Sequence, residues 1–104
     1  MIAFGIKDSS LEILTSIFSN YNQVEEVVLY GSRAKGNFSD RSDVDMVICN
    51  SNINRHILGS ILTDINNSNF PYTIDIQLLE NIKSNSLLEH INRIGQTFYK
   101  KEFK

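Results

Sequence analysis

Apolar residues in this chain recur with two periods, and the alternation between them outlines the fold. After "DSS", Leu11, Leu14, Ile17, Phe18 and Tyr21 fall three and four residues apart, predicting a helix over 9–20 with Asp8 or Ser9 as its cap. "QVEEVVLY" predicts a first strand ending at Tyr30 and broken by Gly31. Residues 31–42 carry turn chemistry, with Gly31, Gly36, Asn37, Asp40 and Ser42, although "SRAKG" can form a helical turn directly after Gly31. "DVDMVIC" predicts a second strand. Ile57, Leu58, Ile61, Leu62 and Ile65 then predict a helix over 54–67 that stops in "NNSN" before Pro71. "YTIDIQLL" predicts a third strand, and Leu87, Leu88, Ile91 and Ile94 a last helix capped by Gly95, with "TFYK" adding a short edge strand.

This order implies an α/β (α+β) architecture, a small mixed β-sheet packed against helices. The short link between strands one and two favours antiparallel pairing, and the helical crossover to strand three favours parallel pairing. A length of 104 residues suits a single domain over 1–104. Composition adds little beyond exclusions. With 41% hydrophobic and 21% charged residues the chain reads as globular, and no run of ~18 apolar residues suggests a membrane span. One cysteine forbids an internal disulfide and "MIAFGIKDSS" lacks the pattern of a secretory signal, so a reducing cytoplasm is expected. A net charge of -2 argues against an extensive nucleic-acid surface, and "YKKEFK" reads as a solvated end. His56 and His90 have no partners at zinc spacing and read as surface or half-buried side chains, Cys49 as a small buried apolar group.

Candidate chemistry sits in "LYGSRAKGNFSDRSDVDMVI", residues 29–48. Aspartates are poor strand formers and repel one another, so Asp43 and Asp45 at the mouth of a strand weaken it unless a cation or catalytic role compensates. Side chains two apart share a face, separated by roughly 6.5–7 Å, so both carboxylates can converge on one cation while Val44, Met46 and Ile48 face a helix. Asp75, flanked by Ile74 and Ile76, faces the same way on the third strand and completes the cluster if the two strands are neighbours. A lone carboxylate among isoleucines would carry a desolvation cost, and the alternative is pairing with a lysine or arginine. Oxygen-only ligands suit a hard cation such as Mg²⁺, which takes further ligands from substrate phosphates. In two-metal chemistry Asp43 and Asp45 would bridge the ions, with Asp75 holding the one that activates the attacking hydroxyl or serving as its base. Gly31 and Ser32 suit the phosphates, glycine allowing close backbone approach and serine adding a donor. Arg33 and Lys35 either offer charge to the same phosphates or solvate the loop.

Gly31-Ser32, ten residues, then Asp43-Val44-Asp45, with Asp75 on a later strand, resembles the signature of the DNA polymerase beta-type nucleotidyltransferase superfamily. Length and the 29–48 stretch are similar to its minimal nucleotidyltransferase (MNT) antitoxin branch, across nearly the whole chain. The resemblance implies the nucleotidyltransferase fold, ATP as substrate, nucleotide contacts from Gly31, Ser32 and Arg33, and Mg²⁺, two ions, on Asp43, Asp45 and Asp75. It further implies a HEPN ribonuclease toxin as partner, a tyrosine hydroxyl of which receives AMP. Larger relatives carry a helical acceptor-binding domain for which this chain has no counterpart, so a homo- or hetero-oligomer would complete the pocket. Two other readings remain: transfer to a small molecule such as an aminoglycoside, and a non-catalytic module that neutralises a partner by contact.

Overall fold

The computed structural model describes residues 2–50 and 53–101. A two-stranded hairpin, β1 (Ile2–Ala3) with β2 (Ile6–Lys7), precedes the first helix and was not expected from periodicity. Its turn residues Phe4 and Gly5 both have positive φ, 58° and 74°, as a tight two-residue hairpin requires. Helix α1 (Asp8–Ser19) buries Leu14, Ile17 and Phe18 as the stripe predicts. The capping expectation is corrected: Lys7 holds the cap position without a side-chain bond, because the incoming hairpin starts the helix one residue before Ser9.

Strand β3 (Glu26–Tyr30) runs into the short helix α2 (Gly31–Lys35), and β4 (Val44–Ile48) returns antiparallel to β3. Helix α3 (Arg55–Asn66) starts at Asn54, whose side chain accepts the Ile57 N–H, and leads to β5 (Ile74–Leu78), parallel to β4. A 3₁₀ turn at Leu79–Asn81 precedes α4 (Asn85–Ile94), capped by Ser84, and β6 (Gln96–Lys100) closes the order β5-β4-β3-β6. The mixed sheet is therefore as predicted, with β6 antiparallel to β3 as an edge strand. Gly95 does end α4, but with φ -57° rather than in the left-handed region. Glycine is needed there for space, since a Cβ would stand 2.7 Å from Val28 Cγ1.

Period-two alternation sorts the sheet into two faces. Val27, Leu29, Val44, Met46, Ile48, Ile76 and Leu78 pack against α1 and α3 in the main core, where Phe18 also meets the rings of Phe98 and Tyr99. On the other face Tyr30 and Val47 pack with Ile82 and Ile91, so α4 covers only the drier end. Cys49 packs there half-buried, and burial pushes its thiol up, consistent with a small apolar role. None of the described helices is long and apolar enough to cross a membrane. Of the terminal "YKKEFK", Tyr99 and Lys100 end β6 and the Lys101 ammonium donates to the Asn22 carbonyl at 3.0 Å, which corrects the expectation of a solvated end for this half; residues 102–104 lie outside the described residues.

Candidate functional site

Register places the chemistry. Tyr30 at the end of β3 pairs with Asp45, and Asp45 pairs with Asp75 across the parallel β4–β5 ladder, so three polar side chains stand abreast on the α4 side. Asp43 precedes β4 by one residue and is exposed. Asp45 is half-buried, and its carboxyl is raised above the ordinary range first by burial, then by the charges of Asp75 and Asp43, with His90 opposing. Asp75 itself is exposed, which corrects the expectation that its isoleucine neighbours desolvate it: Ile74 and Ile76 turn to the opposite face. The described ion pair is Arg93 with Glu89, so no described basic side chain neutralises Asp75.

Beside the carboxylates lies a layer that sequence reasoning did not single out. Gln77 donates from Nε2 to the Tyr30 hydroxyl at 3.2 Å and reaches the Asp75 Oδ2 at 3.5 Å. Burial and then the charges of Asp45 and Asp75 push the Tyr30 phenol up to about 12, so it stays protonated across the physiological range. His90 of α4 stands edge-on to Tyr30, rings 6.2 Å apart, and its Nε2 accepts the Gly31 N–H at 3.1 Å. The available signals were modest: Gln77 shares a strand face with Asp75, and His90 falls three residues after Leu87 on the apolar stripe.

Gly31 needs to be glycine for two reasons. Its φ of +79° lies in the left-handed region, and a Cβ there would run into the Asp45 carboxylate. The close approach follows from the antiparallel return, which sets the turn directly against the start of β4. Ser32 is half-buried as the second residue of α2, which ends when Gly36 N–H bonds the Ser32 carbonyl at 2.8 Å.

Arg33 belongs elsewhere. The expectation that it offers charge to phosphate, or solvates a loop, is corrected, because its side chain is among the most buried in the protein at 2% exposure. Its Nε and Nη2 donate to the Ser42 carbonyl, Nη1 to that of Phe4 at 2.9 Å and Nη2 to that of Asp40 at 3.4 Å. The guanidinium also lies 5.2 Å from the Phe38 ring centroid and 5.0 Å from that of Tyr72. A cation so desolvated is tolerable only with its donors satisfied, and here it fastens the N-terminal hairpin to the 36–43 loop. Lys35 is exposed. Asp40 and Ser42 act as turn residues, the Ser42 hydroxyl accepting the Ser39 N–H at 2.9 Å.

Asp43, Asp45 and Asp75 supply oxygen donors alone, the set preferred by Mg²⁺. Backbone register puts Asp45 beside Asp75, and the bare α-carbon of Gly31 leaves the Asp45 carboxylate room. Donor chemistry and backbone placement thus fit a hard cation. Their side chains, however, are not drawn together: among the described residues no three His, Cys, Asp or Glu are gathered closely enough to hold a metal. Two concavities among the described residues lie away from this chemistry, one of about 640 Å³ between α1 and α3, the other beside Tyr21 and His56.

Residues 12–104 match the family model for polymerase beta nucleotidyltransferases. No curated relative matches the sequence. A toxin-antitoxin crystal structure with AMP-PNP is similar over 88% of this chain and 74% of that one, with a TM-score of 0.69 and 14% identity. A structure of a tri-AMPylated Shewanella oneidensis HEPN toxin in complex with MNT antitoxin gives a TM-score of 0.63 at 12% identity, over 89% of this chain and 71% of that one. A candidate nucleotidyltransferase from Sulfolobus solfataricus gives 0.56 at 19% identity, over 88% and 78%. At such identities the likeness speaks to fold.

Proposed function

The chain belongs to the polymerase beta nucleotidyltransferase family, and from that premise we propose that it transfers AMP from ATP to a protein hydroxyl, a tyrosine of a HEPN toxin, acting as the antitoxin. The observation that carries this reading is the pairing of Asp45 beside Asp75 with the Gly31 turn against Asp45, which supports an acidic site next to a turn suited to phosphate. In support, one structural relative was crystallised with AMP-PNP and another contains an AMPylated HEPN toxin.

In this reading Asp43, Asp45 and Asp75 would hold Mg²⁺, which neutralises the triphosphate and acidifies the attacking hydroxyl. Ser32 receives the triphosphate with its N–H and hydroxyl. Asp75, exposed on the edge strand, stands where a macromolecular hydroxyl can reach it, and takes up the proton as that oxygen attacks the α-phosphorus. The new O–P bond forms as the bond to the β-phosphate oxygen breaks, and pyrophosphate leaves. Positioning and charge do most of this work, as phosphoryl transfer requires, and no covalent nucleophile is needed.

The test is incubation with α-labelled ATP, Mg²⁺ and a co-expressed HEPN partner, comparing the wild type with Asp43→Ala/Asp45→Ala. Label on the partner that the double variant abolishes is the expected result. Protection from toxicity that survives unchanged in the variant would instead establish neutralisation by contact, and labelling of an aminoglycoside but not the partner would establish small-molecule transfer.

A further inference from the structure

We propose that His90 is a positioning residue that holds the Gly31–Ser32 turn in the orientation that receives the triphosphate. The proposal rests on the nucleotidyl-transfer reading but adds a residue from the far end of the chain. His90 Nε2 accepts the Gly31 N–H at 3.1 Å across a sequence separation of 59 residues. An accepting ring nitrogen carries no hydrogen, so this bond requires the neutral imidazole with its proton on Nδ1. The bond satisfies the first N–H of α2, a group with no intrahelical partner.

Two consequences follow for the turn. Gly31 cannot give its N–H to a phosphate while His90 holds it, so recognition at this end falls to Ser32. The turn is also confined from two sides, by the Asp45 carboxylate where a Cβ would lie and by His90 at the N–H. Glycine at φ +79° has wide conformational freedom, and nothing in its own side chain restrains it. His90 is itself held, edge-on to a Tyr30 ring that Gln77 fixes and on a helix that Ile91 anchors to Val47 and Ile82. Losing the acceptor releases the turn, and Ser32 no longer keeps a fixed place relative to Asp45.

His90→Ala and His90→Gln separate positioning from general packing, because a glutamine amide oxygen can still accept the Gly31 N–H. Binding of a non-hydrolysable ATP analogue with Mg²⁺ is measured for each, alongside kcat and KM for transfer. The expected result is a weakening of about 5- to 10-fold in His90→Ala, carried in KM rather than kcat, with most of the affinity restored in His90→Gln. In the wild type, ¹⁵N NMR should show the Nδ1–H tautomer and a coupling across the Gly31 N–H to His90 Nε2. Absence of that coupling, or an alanine variant that binds the analogue as the wild type does, overturns the assignment. A wild type that shows the coupling yet binds no nucleotide overturns the transferase reading instead, and the nucleotide role of His90 with it.

Discussion

Replacing Asp45 with asparagine should make the protein more stable while abolishing transfer. Asp45 and Asp75 occupy directly paired positions on parallel strands, about 4.8 Å apart. Two like charges at the strand spacing would repel by ~1 kcal/mol in bulk water and ~3 kcal/mol at the effective dielectric near a protein surface, and carboxylates that are not drawn together repel by less. Asp75 is exposed and Asp45 half-buried, so screening favours the lower value, and a gain of about 1 kcal/mol at pH 7 is expected for Asp45→Asn. The sign with pH follows from the raised carboxyl, whose causes are burial, then Asp75, then Asp43. A folded-state pKa above the unfolded one costs the wild type nothing below the unfolded value, where both states are protonated. The cost develops as pH rises through the folded value and is constant above it. The advantage of the variant should therefore be present at neutral pH and fade as pH falls through the raised pKa. Urea unfolding of both proteins from pH 3.5 to 7, at low and high salt, measures it, and the gain should shrink with salt. Mg²⁺ should stabilise the wild type and narrow the difference. A variant destabilised at pH 7, or a gain indifferent to pH, would refute the placement of these carboxylates as an unneutralised pair.

Arg33→Ala should lower stability by about 3 kcal/mol in urea unfolding, because half-buried carbonyls of Phe4 and Ser42 lose a charged donor and the buried site is emptied, and lysine should not rescue it since one ammonium cannot replace the fork. Unchanged stability with weakened nucleotide binding would restore Arg33 to the phosphates. Gly31→Ala should cost more than Gly36→Ala, although both glycines have positive φ. Gly36 has open space around a new Cβ and should show only the left-handed penalty of about 1–2 kcal/mol, whereas at Gly31 the methyl also displaces Asp45 and should remove Mg²⁺-dependent nucleotide binding. Equal losses at the two positions, by thermal unfolding and nucleotide titration, would deny the contact between Gly31 and Asp45.

What could be read in advance was whatever local geometry imposes. Leu14, Ile17 and Phe18 announce α1 because a helix repeats every 3.6 residues, and Asp45 and Asp75 share a face because a strand repeats every two. The antiparallel and parallel links followed from connection lengths, so the sheet that brings the acids side by side was legible too. The N-terminal hairpin was not, since strands of two residues carry no period and its turn puts Phe4, not a usual turn residue, at positive φ.

The sequence by itself thus determined the longer helices and strands, the sheet's pairing senses and the side on which the acids stand. Tertiary structure alone decided which polar groups meet. Arg33 looks like a loop cation until Phe4, Ser42 and Tyr72 close around it, and His90 looks isolated until α4 lays it against Gly31. Periodicity is a property of neighbouring residues, whereas burial and hydrogen-bond partners are set by segments far apart in the chain, and no local pattern encodes the partner.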